Sequence, residues 1–347
     1  MNLDDKNALL SIDQHDMIDC LRGLPLRVIH SWQMGLNFSP DITFSADQYL
    51  FIGRGAFEIG IKIFLSCFES TFSKPAWILN QNTLPVWVHG AAWCVIGIMN
   101  HQDQIDIEAL LQEAVLRGCK VVRVFLNESS IHANQPSLRE LACWVPTKPG
   151  CEVEDQIGFL IGLFDRWKLI PDQSTQIQKL VNLLENEIAT LDIDNPVARN
   201  PVKRAAGQLV GRWGVVFGCD YLGGAAQYWK YQLNRIAKTW SQFEIIPGAE
   251  YATPLGVFNN NQPLSDILVL FLEGSHHYSE NSILSKRIRH LFIEQGINTD
   301  YYLPKGETKL EQVFWSLQFG DFLAYYLALA NGIDPLPVEV RNYLNQE

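Results

Sequence analysis

The sequence predicts an α/β protein made of two doubly wound parallel sheets, each flanked by helices. Apolar, strand-like runs alternate with amphipathic helical stretches, a pattern that favours parallel sheets with helices on both faces. Each half of the chain also contains a buried strand that runs into a glycine turn, at residues 49–55 and 215–218. The 347 residues are enough for two such domains, so the two halves are expected to be copies of one domain.

The first half, residues 1–191, is predicted to carry N-terminal helices and the first domain. Residues 5–37 are expected to be helical with a break at Leu24-Pro25. Further helices are predicted at 56–68, 105–117, 153–167 and 173–191. The predicted strands of this half are 49–52, 76–79, 86–89, 92–98, 120–125 and 141–145.

The second half, residues 192–347, is predicted to begin with a linker at 192–196 and to repeat the same theme. Its predicted strands are 213–218, 243–246, 266–273 and 298–303. Its predicted helices are 203–210, 225–238, 282–295, 310–331 and 338–344.

Composition and charge exclude several classes of function. The net charge of -11 disfavours nucleic-acid binding, because phosphate is recognised by basic surfaces. The seven cysteines include no C-x-x-C pair, and an odd number is typical of a reducing cytoplasm rather than a disulfide scaffold. The N-terminus is acidic, unlike a signal peptide, and no apolar run reaches the ~18 residues of a membrane span. We therefore expect a cytoplasmic protein with neither a membrane nor a nucleic-acid partner.

The stretch from residue 215 to residue 238 is the centre of the functional argument. Its pattern predicts a strand, a glycine turn and a helix. Such a unit places a helix N-terminus at the carboxyl edge of a sheet, where anions tend to bind. Lys230, Asn234 and Lys238 lie four residues apart, so on a helix they would share one face and could converge on one ligand. The alternative is an ordinary crossover helix with solvated lysines.

Metal and cofactor chemistry find little support in the sequence. His276-His277, near Glu273 and Glu280, suggests a metal site, but no further ligand spacing accompanies these residues, and a polar loop after a strand is the favoured interpretation. The glycines at 53, 55 and 60 lack the full spacing of a dinucleotide loop. We expect neither a metal nor a cofactor.

Four motifs carry a resemblance to a known family. They are Asn200-x-x-Lys203-x-Ala205, Ala226-x-x-Trp229-Lys230-x-x-Leu233-Asn234-x-x-Ala237-Lys238, Gly320-Asp321-Phe322 and Gly332-Ile333-Asp334-Pro335-x-Pro337-Val338. In order and spacing they resemble the bifunctional phosphoglucose/phosphomannose isomerases, which consist of two sugar-isomerase (SIS) domains. The resemblance spans essentially the whole chain. It implies two tandem SIS domains, divided into 1–191 and 192–347, and a homodimer.

The resemblance also implies a chemistry. In that family, hydroxyl and backbone N–H groups of the first domain hold the phosphate of a hexose 6-phosphate. A glutamate then moves a proton between C1 and C2, while histidine and lysine assist ring opening. Such a reaction needs a positioned carboxylate base, and a dianionic phosphate needs several donors.

This chain departs from the family at the positions that carry the chemistry. The first glycine turn has Arg54 and Phe57 where the family has methionine and serine, and the serine- and threonine-rich phosphate loop falls on residues 99–104, which contain neither. The family's glutamate base falls on Arg235, and arginine stays protonated at any working pH. We therefore expect lost or altered catalysis.

Further departures reverse charge or remove the histidine. A Pro-Arg-Ala-Ala segment of the family falls on residues 153–156, which turns a cation into an anion, and Asp103 and Asp106 would repel phosphate. The family's histidine falls near Tyr251. Glu250, next to that position, or the more distant Glu244 could replace the base, although a solvated loop carboxylate is the favoured interpretation of each.

Three hypotheses follow for the ancestral site, which is expected in the cleft between the domains. The first is an impaired SIS protein that binds a sugar phosphate or another small anion. The second is an active aldose-ketose isomerase with a relocated base, and the third is a non-catalytic structural or regulatory partner protein. The candidate catalytic positions are Glu250, Tyr251 and Arg235, and the candidate ligand-binding residues are Gly53, Arg54, Gly55, His101, Gln102, Lys230, Asn234 and Lys238.

Overall fold

The computed structural model describes residues 2–38, 46–100, 104–126, 140–147, 150–258 and 264–336. From the N-terminus, the helices and strands are α1 (Lys6–Ile12), α2 (Met17–Arg22), α3 (Leu24–Leu36), β1 (Gln48–Ile52), α4 (Ala56–Phe68), β2 (Ala76–Leu79), β3 (Trp93–Met99), α5 (Gln104–Leu116), β4 (Lys120–Leu126), β5 (Glu140–Val145), α6 (Glu152–Arg166), α7 (Ser174–Leu191), α8 (Pro201–Leu209), β6 (Trp213–Cys219), α9 (Gly223–Arg235), β7 (Ser241–Ile246), β8 (Ile267–Leu272), α10 (Ser279–Glu294), β9 (Asn298–Tyr302) and α11 (Lys309–Ala330).

The described chain divides into two compact units. The first-sheet unit contains residues 26–178, and the second-sheet unit contains residues 2–25 and 179–336. The division at 191/192 expected from the sequence differs from these units, because the N-terminal helices pack with the second half. Arg22 makes a bidentate pair with Asp192, with Nε–Oδ2 and Nη2–Oδ1 distances of 2.7 and 2.8 Å.

Each unit is built on a parallel sheet with the same winding. The strand order is β2-β1-β3-β4-β5 in the first sheet and β7-β6-β8-β9 in the second. In both sheets the first strand is interior, the next strand in the chain lies on one side of it, and the strands that follow lie on the other side. The α/β fold class predicted from the sequence is confirmed.

A glycine after the first strand supports the internal repeat. A Cβ on Gly53 would lie 2.9 Å from Ile61 and 3.1 Å from Phe57, eight and four residues further on. A Cβ on Gly218 would lie 2.8 Å from Ala226 and also clash with Leu222, at the same two offsets. In each unit the helix after the first strand therefore packs so closely that only glycine fits at the strand end.

The polar motifs of the second half are packing devices. Asn200 caps α8 by accepting from the N–H groups of Val202 and Lys203. The buried Lys203 ammonium donates to the carbonyls of Ile193 and Asn195, at 2.9 and 2.7 Å, and so fixes the chain that enters α8. These bonds satisfy carbonyl groups that would otherwise be costly to bury.

Three features differ from the sequence-based expectations. Residues 86–89 form a turn instead of a strand, because the carbonyls of Leu84, Pro85 and Val88 accept hydrogen bonds from Arg117 and not from a neighbouring strand. Cys20 and Cys151 each take part in a disulfide, where the sequence indicated free thiols. The helix expected over 225–238 ends at Arg235. The expected break near Leu24-Pro25 is present, because α2 ends at Arg22 and α3 begins at Leu24, with Pro25 in the first turn, where proline has no N–H to lose.

Two further expectations concern a C-terminal helix and membrane-spanning segments. The helix predicted at 338–344 lies outside the described residues. No helix among the described residues combines the length and apolar character needed to cross a membrane.

Candidate functional site

The topology of each sheet indicates where a ligand would bind. In doubly wound sheets the binding crevice lies beyond the carboxyl ends of the two strands at which the winding reverses. These strands are β1 and β3 in the first sheet and β6 and β8 in the second. The first crevice is therefore flanked by Gly53–Gly55, which follow β1, and by Asn100, which follows β3. His101 and Gln102 lie outside the described residues, so their predicted role stays a prediction.

The side chain of Arg54 is directed to the end of β2. Its guanidinium donates to the carbonyl oxygens of Leu79 and Gln81, both at 2.8 Å, and to the side-chain oxygen of Asn82 at 3.1 Å. Because β2 lies on the opposite side of β1 from β3, these bonds hold the guanidinium away from the first crevice. Arg54 thus clamps the loop that follows β2.

The backbone at the first crevice retains features of an anion site. Gly55 has φ of 55°, a conformation that glycine adopts without strain, and it is the N-cap residue of α4. The N-cap residue makes no side-chain capping bond. The Phe57 N–H is bonded to the Arg54 carbonyl at 3.1 Å, so the N–H groups of Ala56 and Glu58 are the first-turn donors that this helix start offers to an anion.

The acidic residues of α6 are buried in the first-sheet unit. Glu154 and Asp155 are 0% and 1% exposed. Asp155 accepts a hydrogen bond from Arg27 Nε at 3.0 Å, and burial raises the pKa of Asp155 to about 7. Arg27 is therefore the cation that partners this carboxyl group, whereas the hydrogen bonds of Arg54 go to the loop after β2.

The crevice of the second sheet is filled by its own side chains. The Tyr221 hydroxyl donates to Gln312 Oε1, and Gln312 Nε2 donates to Ser275 Oγ at 2.6 Å. A Cβ on Gly274 would overlap the Tyr221 hydroxyl. This network joins the residues after β6, the residues after β8 and α11, so it serves to hold the second-sheet unit together.

Beside that network, Cys219, Asp220 and His277 form a cluster with donor atoms within 4.8 Å of one another. His277 Nδ1 lies 3.6 Å from Asp220 Oδ2. However, His277 Nε2 accepts the N–H of Gly274 at 2.7 Å, so the ring proton of the neutral imidazole is on Nδ1. Burial lowers the pKa of His277 to about 4, which keeps the ring neutral. A metal at Nδ1 would require the ring proton to move to Nε2, which would break the hydrogen bond from Gly274, so this bond opposes metal binding at Nδ1.

The polar residues near the end of α9 are mainly engaged in structural contacts. Asn234 Oδ1 accepts from the N–H and the hydroxyl of Ser241, at 2.8 and 2.7 Å. Lys238 lies beyond the helix with φ of 48°, and its ammonium donates to the carbonyls of Asp334 and Leu336 at 2.7 and 2.8 Å. The expectation that Lys238 shares a helix face with Lys230 and Asn234 is therefore wrong.

Arg235 and Lys230, two cations of α9, differ from each other in their surroundings. Arg235 is the last residue of α9, and its guanidinium carbon lies 5.5 Å from the ring centroid of Tyr231. Lys230 is half-buried; its carbonyl accepts from the Ser241 hydroxyl at 3.2 Å, whereas its ammonium makes no hydrogen bond or ion pair to another described residue. Lys230 is thus the predicted ligand-binding residue of α9 whose charge is uncommitted within the described part of the chain.

One candidate carboxylate, Glu244, lies within β7, and the other, Glu250, lies beyond its end. Glu250 Oε2 accepts the N–H of Gly248 within its own turn, and Tyr251 is 82% exposed. Glu244 is half-buried within β7. The structure thus gives Glu250 a local turn contact and leaves its predicted catalytic role a prediction.

The sequence analysis missed two arrangements. Arg123 in β4 makes a fork-shaped pair with Glu108 of α5, with Nε–Oε2 and Nη2–Oε1 distances of 3.0 and 2.9 Å. Asp220 accepts the N–H of Tyr278, directly before α10, at 2.9 Å, and the side-chain N–H of Asn281 in α10 at 2.6 Å. These contacts were also missed, because they join residues about 60 positions apart. A charged residue inside the apolar strand 120–126 was the available signal for the first, and the position of Asp220 directly after a strand was the signal for the second.

The fold and its solved relatives define the class of this protein. The fold is similar to that of a glucose-6-phosphate isomerase-like protein from Thermus thermophilus, with 19% identity, coverage of 100% and 99% of the two chains and a TM-score of 0.66. Tagatose-6-phosphate ketose/aldose isomerase from Escherichia coli is also similar, with 14% identity, coverage of 92% and 94% and a TM-score of 0.68. The chain therefore has the α/β fold of these two proteins.

Sequence comparisons narrow this class. Residues 198–347 match the bacterial phospho-glucose isomerase C-terminal SIS domain. Over 339 residues, 93% of this chain and 96% of the relative, the sequence is 21% identical to a bifunctional phosphoglucose/phosphomannose isomerase of Caldicellulosiruptor bescii. A relative with the same name from Aquifex aeolicus is 21% identical over 80% of this chain and 82% of its own length. Residues 198–347 therefore form a SIS domain, and most of the chain is similar at low identity to bifunctional phosphoglucose/phosphomannose isomerases.

Proposed function

We propose that this protein has lost efficient hexose-phosphate isomerisation and binds a sugar phosphate or another small anion. The ligand would contact the backbone N–H groups after β1, at the carboxyl end of the first sheet. Neutral hydroxyl donors are missing from the glycine turn, where Phe57 replaces the family's serine. The N-terminus of α4 supplies backbone donors in their place.

The residues at the end of α9 are the main support for the proposed loss of catalysis. The family's base position holds Arg235, whose guanidinium lies over the ring of Tyr231, and arginine cannot abstract a proton. Asn234 and Lys238 are committed to Ser241 and to backbone carbonyls. Losing one acid–base group typically costs about 10²–10⁴ in rate, and this site lacks both the base and the family's histidine.

An isomerase assay tests the catalytic part. Purified protein is offered glucose 6-phosphate and mannose 6-phosphate in a coupled assay, with the bifunctional isomerase of Caldicellulosiruptor bescii as positive control. We expect no turnover above the buffer background. A rate of about one per second or more, within the range of ordinary enzymes, would establish the alternative of a relocated base. In that case Glu250→Gln and Glu244→Gln would identify the carboxylate.

Calorimetric titration tests the binding part independently. Glucose 6-phosphate and inorganic phosphate are titrated into the wild type, Arg235→Ala and Lys230→Met. Because the proposed contacts are backbone N–H groups after β1, the two α9 variants should bind like the wild type, and weaker binding by either would place the ligand at α9 instead. In both cases binding should weaken with salt, as the Debye length falls from ~10 Å at 0.1 M to ~3 Å at 1 M. Absence of heat with every ligand would contradict anion binding while leaving the assay result intact, and would favour a partner-protein role.

A further inference from the structure

Three tryptophans form one cluster at the amino-terminal end of the first sheet. The ring centroids of Trp77 and Trp87 are 5.5 Å apart, those of Trp77 and Trp93 are 5.3 Å apart, and those of Trp87 and Trp93 are 5.1 Å apart. Trp93 is 5% exposed and anchors the cluster, whereas Trp77 and Trp87 are 41% and 46% exposed. The cluster therefore presents two broad indole surfaces to solvent on a buried base.

The sheet register adds an amide to this surface. Gln48 pairs with Trp93 across β1 and β3, and Leu50 pairs with Trp77 across β1 and β2. Register partners in a parallel sheet point to the same face, and residues two apart in a strand do too. Gln48 thus projects from the face that carries Trp77 and Trp93. It is half-buried, and its side chain makes no hydrogen bond to another described residue.

The loop that carries Trp87 is held rigidly. Arg117 donates to the carbonyls of Leu84, Pro85 and Val88, at 3.2, 2.6 and 3.3 Å. Leu84 and Val88 are 4% and 0% exposed and belong to the core of the first-sheet unit. Trp87 is therefore displayed between two buried anchors, which reduces the ordering cost of binding at its ring.

The charges beside the cluster are paired with each other. Lys74, which precedes β2, contacts Asp47, which precedes β1, with an Nζ–Oδ1 distance of 3.3 Å. Arg117 is paired with Glu113. With one cation and one anion in each pair, these four residues contribute no net charge beside the cluster. The surface therefore consists of an apolar aromatic face and the side-chain amide of Gln48, which has no hydrogen-bond partner among the described residues.

We propose that Trp77, Trp87, Trp93 and Gln48 form a binding platform for a neutral pyranose ring. The C–H groups on one face of such a ring are complementary to the electron-rich face of an indole, and its hydroxyl groups match both the donor and the acceptor of Gln48. A mostly aromatic surface with one oriented polar group is the usual composition of a small-ligand site. The platform lies at the amino-terminal end of the strands, so it is distinct from the anion site proposed at their carboxyl ends.

Saturation-transfer NMR and calorimetry test this platform with two probes. Free glucose represents a monosaccharide, and maltotriose represents a glycan. We expect saturable binding with a dissociation constant on the order of millimolar, as is reasonable for a small neutral ligand on an open surface. Binding should be unchanged between ~0.1 and ~1 M salt, because no charge is involved. Stronger binding of maltotriose would assign the platform to a glycan, and equal binding would assign it to a free sugar.

Two substitutions and a matched control make the test specific. Trp87→Ala should weaken binding by about tenfold or more, and Gln48→Ala should weaken it to a smaller extent. The control is Trp240→Ala, because Trp240 is 69% exposed and pairs with Trp213 at a centroid distance of 6.4 Å, with no third ring from the described residues. It should bind like the wild type. Circular dichroism and thermal melting establish that each variant is folded.

Three results would overturn the proposal. The first is that neither sugar gives saturable transfer. The second is that Trp240→Ala weakens binding as much as Trp87→Ala does. The third is a change in sedimentation of Trp87→Ala without any sugar binding by the wild type, which would assign the cluster to a protein contact instead.

Discussion

The indole of Trp229 lies directly against Gly320, where a Cβ would be 2.5 Å from the ring. The same indole donates its N–H to the carbonyl of Ser316 at 2.7 Å and stacks on Phe319 with an angle of 10° between the planes. These contacts join α9 to α11, a helix that is buried over nearly its whole length. They explain why tryptophan and glycine stand at these places in the family motifs.

Gly320→Ala is therefore expected to destabilise the protein by about 1–3 kcal/mol, the usual cost of overpacking a core. The free energy of unfolding is measured by urea denaturation. Gly207→Ala is the matched control, because Gly207 lies in α8 with no heavy atom within 4 Å of its added Cβ. This control should be neutral or more stable by up to about 1 kcal/mol. Equal effects of the two substitutions would contradict the packing argument.

Lys238 is expected to act in stability and not in ligand binding. Lys238→Met removes the donor to the carbonyls of Asp334 and Leu336, so it should cost about 1–3 kcal/mol of unfolding free energy. Lys230→Met, at a lysine without such bonds to described residues, should leave stability nearly unchanged. Urea denaturation and phosphate titration of both variants separate the two roles. If Lys238→Met is as stable as the wild type but binds phosphate more weakly, Lys238 is a ligand-binding residue and not a structural one.

The buried carboxyl group of Asp155 should make stability depend on pH. Its pKa is raised by burial from 3.8 to about 7, so the folded state keeps a proton that the unfolded state loses between these values. Stability should therefore fall as pH rises from about 4 to 7, by at most about 4 kcal/mol at roughly 1.4 kcal/mol per pKa unit. Asp155→Asn should remove this slope in urea midpoints measured across the range. Glu69→Gln, at an exposed residue of the same unit, should retain it.

His277 should remain a neutral ring protonated on Nδ1. Because burial lowers its pKa from 6.5 to about 4, protonation favours the unfolded state, and stability should fall as pH decreases through that window. Nitrogen-15 NMR of labelled histidine would show this tautomer at neutral pH. Addition of Zn²⁺ should not shift the Nδ1 resonance. A zinc-dependent shift that disappears in Cys219→Ala would instead establish a metal site at Cys219, Asp220 and His277.

The sequence by itself determined the two wound sheets and most of their elements. Alternation of apolar strands with amphipathic helices is local information, and it placed β1, β2, β3, α5, β4 and α6 within a few residues of their observed bounds. The glycines at 53 and 218 and the motifs around Trp229 and Gly320 were also readable, because close packing restricts which residues fit. The resemblance to the isomerase family rested on these packing positions.

Only the tertiary structure decided what the polar side chains do. Helical spacing suggested a shared face for Lys230 and Lys238, but the chain leaves the helix after Arg235, and remote carbonyls capture the Lys238 ammonium. Arg54 was expected at a ligand, yet the loop after β2 holds its guanidinium. A long charged side chain can reach several partners, and the choice among them depends on which distant segments fold beside it. Trp77, Trp87 and Trp93 likewise form one surface only because the sheet brings their separate segments side by side.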